Sequence, residues 1–493
     1  MADAGRDNRL AGSPEKSYFN AGPAGLVYFT CAAVFALLWV VYLFRFKSGI
    51  PYADDLNFFI PAIMGAESML DPDYLLHSQG PHFHFSYKIM SYLLLEQFGY
   101  NTLVFSATGP LALIGLVMLV RWHIAEFEGD AEVGKPQYRA VWTAIGAVMV
   151  AFFVFTPLRS VDFSYDMLAL NGNLAYVAFT ATLVCTALYL RRRIGHLTFL
   201  VVAIVPVFIV GVATFKTFYA AGLAAMVLVS LPDIFARARA GDLASLPRAY
   251  LRHGVVIAGF AASWLLYDAL LAKTGYRAPD PGSVGLTDLV GWVRSGVYQS
   301  LGGATLTGHF ELTDKAEAIK TGLLVLCAIC SVAVAPFLIA RGHIVVLALM
   351  GHAVLAAVGA GLVRGVVEAP RYQGVLSFFW LGVLLAFLFA VRALVVERSA
   401  PRQHFVRWSS IAAAAGAGAM LLVSLASMWG YAAYLQEQVG YTRRYMSRQA
   451  EIFYGHPVLT EQDAQALQCR RPLEMCQAAV DLVRQRRAVR ISE

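Results

Sequence analysis

The chain has 493 residues, of which 58% are hydrophobic and only 14% charged. Soluble domains carry about 25% charged residues, so this composition excludes an ordinary water-soluble fold and makes a lipid bilayer the expected solvent. The net charge of +7 sits beside apolar runs and forms no basic and aromatic stripe, which suits anionic lipid headgroups and not nucleic acid.

A membrane span needs about 20 apolar residues. In chain order that rule predicts helices over 26–44, 103–120, 140–155, 171–190, 197–215, 217–231, 254–272, 321–340, 344–363, 373–391 and 408–431. The fold class is therefore all-α, a polytopic transmembrane bundle of about eleven helices. The first run follows a polar start and has no small-residue cleavage site before Arg45, so it is expected to be a retained anchor. No internal repeat or heptad array stands out.

Orientation follows from Lys and Arg. With a cytoplasmic N-terminus, the inside segments carry 18 basic residues and the longer outside loops carry 12, with Arg191-Arg192-Arg193 the strongest single element. The expected division is a transmembrane body over 1–434, with long outside loops at 45–101 and 273–320, and a small extramembrane tail over 435–493. Apolar patches at 89–95 and 289–297 predict short interfacial helices inside those loops. The tail holds nine basic residues, against the charge bias, although long segments cross regardless of charge. Cys31, Cys185, Cys327 and Cys330 lie in apolar runs and read as small packing residues, while Cys469 and Cys476 can form a disulfide if the tail faces an oxidising compartment.

Five polar groups could carry chemistry. In Pro51-Tyr52-Ala53-Asp54-Asp55-Leu56-Asn57 two adjacent carboxylates follow the first span. One can take a proton from an acceptor hydroxyl while the other orients it or holds a divalent cation; as bland helix caps they would do neither. His77, His82 and His84 share that loop. His82 and His84 would face the same way on an extended segment, as a substrate contact or as interfacial packing with the neighbouring Phe residues. Asp162 and Asp166 are four apart and would share a helix face. Lys216 interrupts two apolar runs, where a charge needs a partner or water, and a phosphate would serve. Finally, Arg364-Gly365-Val366-Val367-Glu368-Ala369-Pro370-Arg371-Tyr372 leads into a late apolar helix. Arg364, Arg371 and Tyr372 there suit a lipid phosphate at the outer leaflet or an interfacial anchor, with Glu368 as a secondary group.

With its many helices, its acidic Ala53-Asp54-Asp55 step in the first outside loop and its Pro370-Arg371-Tyr372 step before a late helix, the chain resembles the membrane-embedded glycosyltransferases of the GT-C class. The motif match covers under ten residues. The resemblance implies inverting transfer of a sugar from a polyprenyl-phosphate donor to a glycan, lipid or protein acceptor, at the non-cytoplasmic face of a bacterial inner (plasma) membrane. It implies Asp54 and Asp55 as catalytic carboxylates, with Asp55 narrowly preferred as base, and Mg or Mn at the same pair where a member needs a cation. It implies basic residues near Arg371 at the donor phosphate; the residues themselves add Tyr372, Lys216 and Arg364 there, and Asp162, Asp166, His82, His84 and Glu368 on the acceptor side or in a secondary role. Two alternatives stand beside it. An O-antigen ligase or polymerase would use a basic late loop, which Arg277, Arg294 and His309 offer. A transporter would show repeated halves and polar groups at mid-membrane depth.

Overall fold

A computed structural model describes residues 23–51, 53–78, 82–128, 136–160, 168–190, 193–206, 208–209, 246–275, 284–364, 367–368, 372–396 and 404–492. Over these residues the chain is an all-α, multi-pass membrane bundle. Nine helices among the described residues are long and apolar enough to cross a bilayer: Pro23–Phe46, Leu103–Ala125, Ala140–Arg159, Asn173–Leu190, Leu251–Ala272, Thr313–Ala340, Val345–Leu362, Gln373–Val395 and Trp408–Gly455. Each coincides with a predicted span. Of the two remaining predictions, 217–231 lies outside the described residues and 197–215 is described only through 209.

The first span, α1 (Pro23–Phe46), turns Ala32 and Ala36 inward and leaves Leu26, Leu37 and Phe44 exposed. Exposed leucine and phenylalanine on a long helix are what hydrocarbon solvates. Its inner face packs on α5 (Leu103–Glu128) and α6 (Pro136–Val154), and α5 packs in turn on α7 (Asn173–Leu190). Between them in sequence come α2 (Ile60–Met64), α3 (Pro72–Leu76) and α4 (Phe85–Phe98), all in the first loop. After α8 (Leu246–Ala272), the second long loop carries α9 (Leu286–Ser300) and α10 (Gly303–His309). Thus the apolar patches at 89–95 and 289–297 are helical as predicted.

The second half is α11 (Ala316–Ala340), α12 (Ile344–Arg364), the short α13 (Gln373–Leu376), α14 (Phe378–Val396) and α15 (His404–Gly455). Helix α14 is wrapped by α12 and α15, and nearly all of its length is buried. Small residues bring these helices close, as bilayer packing requires: Gly382 lies against Met350 of α12, and Gly416 of α15 lies against Cys330 of α11. Cys327 and Cys330 are buried free thiols, Cys330 at that contact, so the C-x-x-C spacing serves packing here.

Helix α15 has 52 residues. At 1.5 Å per residue it is about 78 Å long, far more than the ~30 Å hydrocarbon core, so it leaves the membrane as a rod. It delivers the tail helices α16 (Glu461–Ala466) and α17 (Leu473–Ser492) onto the first loop. There Ile50, Leu56, Phe59, Tyr87 and Leu94 from the loop share one apolar core with Ile452, Phe453, Leu467, Val480 and Val483 from the tail. Tail and first loop are thus one packed layer, distinct from the large core among the membrane helices.

The other loops join the same face. Ser78 of the first loop is hydrogen-bonded to Thr274, which follows α8, at 3.0 Å. Helix α4 touches the Leu168–Gly172 segment, and the 3-10 turn Pro157–Arg159 packs on α13 and α15. The described residues of the first loop, the segments Pro157–Arg159 and Leu168–Gly172, the described residues of the second long loop, α13 and the tail therefore all lie on one side of the bundle.

Candidate functional site

The acidic step begins with an unusual turn. Ala53 has φ 50°, in the left-handed region that a residue with a Cβ rarely adopts. The chain then enters a π-helical segment, Asp55–Phe59, whose wide turn ends with the Ile60 N–H bonded to the Asp55 carbonyl. Such segments are rare and recur at functional sites. Asp54 precedes it without a side-chain cap, so the bland capping role does not apply.

The two carboxylates have different surroundings. Asp55 is buried, and its Oδ1 accepts the hydroxyls of Tyr87 at 2.5 Å and Tyr100 at 2.9 Å. Phe59 and Phe105 pack their rings on Tyr87, at 4.4 and 4.7 Å between centroids. Burial, and then the Asp55 charge, push the Tyr100 phenol well above its ordinary range, so it stays a donor. Asp54 is half-buried at the edge of this cluster.

The same loop holds Lys88, 2% exposed, whose ammonium donates to the carbonyls of Tyr74 at 2.8 Å and Leu75 at 2.9 Å, and to that of His77. Burial pushes it down to about 7. Its three donors are all engaged at the end of α3, which makes it a helix cap and not a free base. His84, also buried, opens α4 with φ 56°, and its ring stands 5.2 Å from that of His82 and 6.3 Å from that of Phe59. Among the described residues no three His, Cys, Asp or Glu side chains meet as a metal site. Asp55 already commits one oxygen to two phenols.

The tail closes over the acidic step. Asn57 donates from Nδ2 to the Ala53 and Gln468 carbonyls at 2.6 and 2.9 Å, and its Oδ1 accepts the Arg470 N–H at 2.6 Å. Arg471 Nε donates to the Asn57 carbonyl at 2.6 Å, and the Ala53 N–H donates to the Leu467 carbonyl at 3.2 Å. The Cys469–Cys476 disulfide is formed beside these contacts.

A second polar group lies on the same side. Glu368 accepts from Lys320 Nζ at 2.6 Å and from Ser295 Oγ at 2.8 Å, and Glu317 bridges Lys320 and Arg294, each at 2.8 Å. Tyr372 is half-buried where α13 begins. Gln373, next in the chain, is fully buried. Nearby, Arg159 is 1% exposed with its guanidinium 4.9 Å from the Tyr176 ring and 5.1 Å from the Phe378 ring.

Asp54, Asp55, His82 and His84 thus share the first loop, while Glu368 and Tyr372 lie across the same face with Lys320 and Arg159. Lys216, Asp162, Asp166 and Arg371 lie outside the described residues, and Arg364 ends α12 with its side chain outside the description. Sequence inspection passes over Tyr87, Tyr100, Asn57 and Arg159. For Asn57 the signal was its place beside the acids, and for Arg159 the signal was a charge at the end of an apolar run. The two tyrosines carry no local signal, since they meet Asp55 only through folding.

No protein-family model, no curated protein and no solved structure matches this chain. The class it belongs to rests on the fold itself: a multi-pass α-helical membrane protein with a packed extramembrane layer.

Proposed function

We propose that this protein is a membrane glycosyltransferase that moves a sugar from a polyprenyl-phosphate donor to a glycan, lipid or protein acceptor at the non-cytoplasmic face. One observation carries the proposal. The acidic Asp54–Asp55 step and the residues Glu368 and Tyr372 lie on the same side of the bundle. The disulfide in the same layer favours the oxidising side of a bacterial inner membrane, with the N-terminus cytoplasmic.

In this proposal Asp54 is the base and Asp55 the residue that shapes the loop, because Asp55 is sealed by two phenols and Asp54 reaches the surface. The acceptor hydroxyl oxygen attacks the anomeric carbon, its proton passes to Asp54, and the carbon–oxygen bond to the phosphate breaks. The polyprenyl phosphate leaves with the electron pair, stabilised by cationic side chains. Arg371 is the first candidate for that role, and the buried Arg159 joins Arg364 and Lys216 behind it.

Whole-cell glycan analysis of Asp54→Asn, Asp55→Asn and Arg371→Ala tests the proposal. Loss of one sugar modification with normal membrane insertion is expected for Asp54→Asn and Arg371→Ala. A complete glycan profile in all the variants overturns it. Substrate flux across vesicles without any covalent product would assign the chain to transport instead.

A further inference from the structure

The proposed catalytic step makes no use of the tail, yet the tail is hydrogen-bonded to Ala53 and Asn57 on either side of the two acids. Two left-handed turns face each other there, Ala53 with φ 50° and Gln468 with φ 55°. Neither is glycine, and such conformations persist only where the surroundings over-determine them. Each is held by the opposite strand of chain. The Ala53 N–H is bonded to the Leu467 carbonyl, and the Gln468 carbonyl is bonded to Asn57 Nδ2.

Asn57 is the hinge pin of this arrangement. It is 6% exposed, and both ends of its side-chain amide are bonded, one to the first loop and the tail together and one to the tail alone. Its backbone carbonyl takes Arg471 Nε, and that guanidinium also lies 5.4 Å from the Phe58 ring. The disulfide begins at Cys469, the residue after the Gln468 turn, and ends at Cys476 in α17. From α17, Arg487 reaches back to the Gly49 carbonyl at 2.7 Å and the Tyr100 carbonyl at 3.0 Å. Gly49 is therefore held by Arg487 of α17, and Ala53 and Asn57 by residues 467–471, which the disulfide ties to the start of the same helix.

We propose that the tail segment 467–476 is a strap that positions the Asp54–Asp55 step, with Asn57 as its positioning residue and the Cys469–Cys476 disulfide as the element that keeps the strap shaped. The structural half concerns loop order alone, and the catalytic half rests on the glycosyltransferase proposal.

The experiment uses the full-length protein in nanodiscs, as wild type, as wild type with dithiothreitol, as Cys469→Ser with Cys476→Ser, and as Asn57→Leu and Asn57→Asp. Amide exchange of residues 53–59 is read against that of the membrane helices, and transfer is read as kcat and donor KM. Opening the strap should raise exchange over 53–59 about tenfold or more while the membrane helices stay protected. It should lower kcat by a similar factor at nearly constant donor KM, since misplacement of a base acts on the chemical step. Asn57→Asp, which retains the acceptor for the Arg470 N–H, should recover part of the loss that Asn57→Leu shows. Unchanged exchange over 53–59 in the reduced wild type and in Asn57→Leu overturns the strap. Raised exchange with unchanged transfer leaves the strap standing and instead removes Asp54 and Asp55 from the catalytic role. Dithiothreitol acts on protein already folded, so the test holds even where the cysteine variant fails to accumulate.

Discussion

Tyr87 donates its hydroxyl to Oδ1 of Asp55 over 2.5 Å, joining residues 32 apart in sequence, and Tyr100 donates to the same oxygen. A buried carboxylate is tolerated only when its lone pairs are met, and hydrogen bonds to a charged acceptor contribute about 1.5–3 kcal/mol each. Tyr87→Phe and Tyr100→Phe should each lower stability by roughly that amount. Because both act on one oxygen, the double variant should depart from additivity. Thermal unfolding of the four proteins in detergent gives the cycle directly. Strict additivity would mean that the two phenols do not share an acceptor.

Gly99 ends α4 with φ 54°, and a Cβ there would meet Arg487 at 2.6 Å from Cγ and 3.1 Å from Cα. Both the backbone conformation and the close approach of α17 call for glycine. Gly99→Ala should undock α17 from the first loop at a cost of about 1–3 kcal/mol. Limited proteolysis of intact membranes should then cut the tail faster, with the membrane helices unaffected.

Asp463 accepts from His456, from the Thr460 N–H and from the Thr460 hydroxyl, closing the capping box of α16. The His456 hydrogen bond, ahead of those from Thr460, holds its carboxyl down at about 2, below an ordinary value of 3.8. A depressed carboxyl contributes stability in full above its ordinary value and loses it as pH falls through the folded one. The tail should therefore loosen as pH drops from 4 toward 2. Asp463→Asn should flatten that dependence while removing about 1 kcal/mol of capping. Amide exchange across 456–467 at several pH values checks both.

Lys320 bridges Glu317 and Glu368, is 9% exposed, and lies 5.2 Å from the Tyr298 ring. Lys320→Met leaves the two carboxylates without their shared cation. The expected loss is about 1–3 kcal/mol, moderated because Glu317 faces water. Adding Glu368→Gln should return part of it, since the half-buried charge then disappears. Melting temperatures of the single and double variants decide this.

Hydropathy alone predicts nine spans that the structure describes, because the cost of exposing backbone and apolar side chains is counted residue by residue along a helix. It also marks the apolar patches that form α4 and α9. The tail shows where local reading stops. Its nine basic residues run against the charge bias. In the fold, Arg471, Arg484 and Arg487 donate to backbone carbonyls of the loop and tail, and Arg486 pairs with Glu96. These arginines build an interface, which a rule about short loops does not describe.

Composition and apolar run length by themselves determine that this chain lives in a bilayer as a helical bundle, since both are sums over neighbours in sequence. That Asp55 is sealed by two phenols, and that residues 467–471 hold Ala53 and Asn57, are decided only in three dimensions. The hydrogen bond between the Arg470 N–H and Asn57 spans 413 positions. Nothing in the residues between them encodes that meeting until α15 carries the tail out of the membrane and back over the first loop.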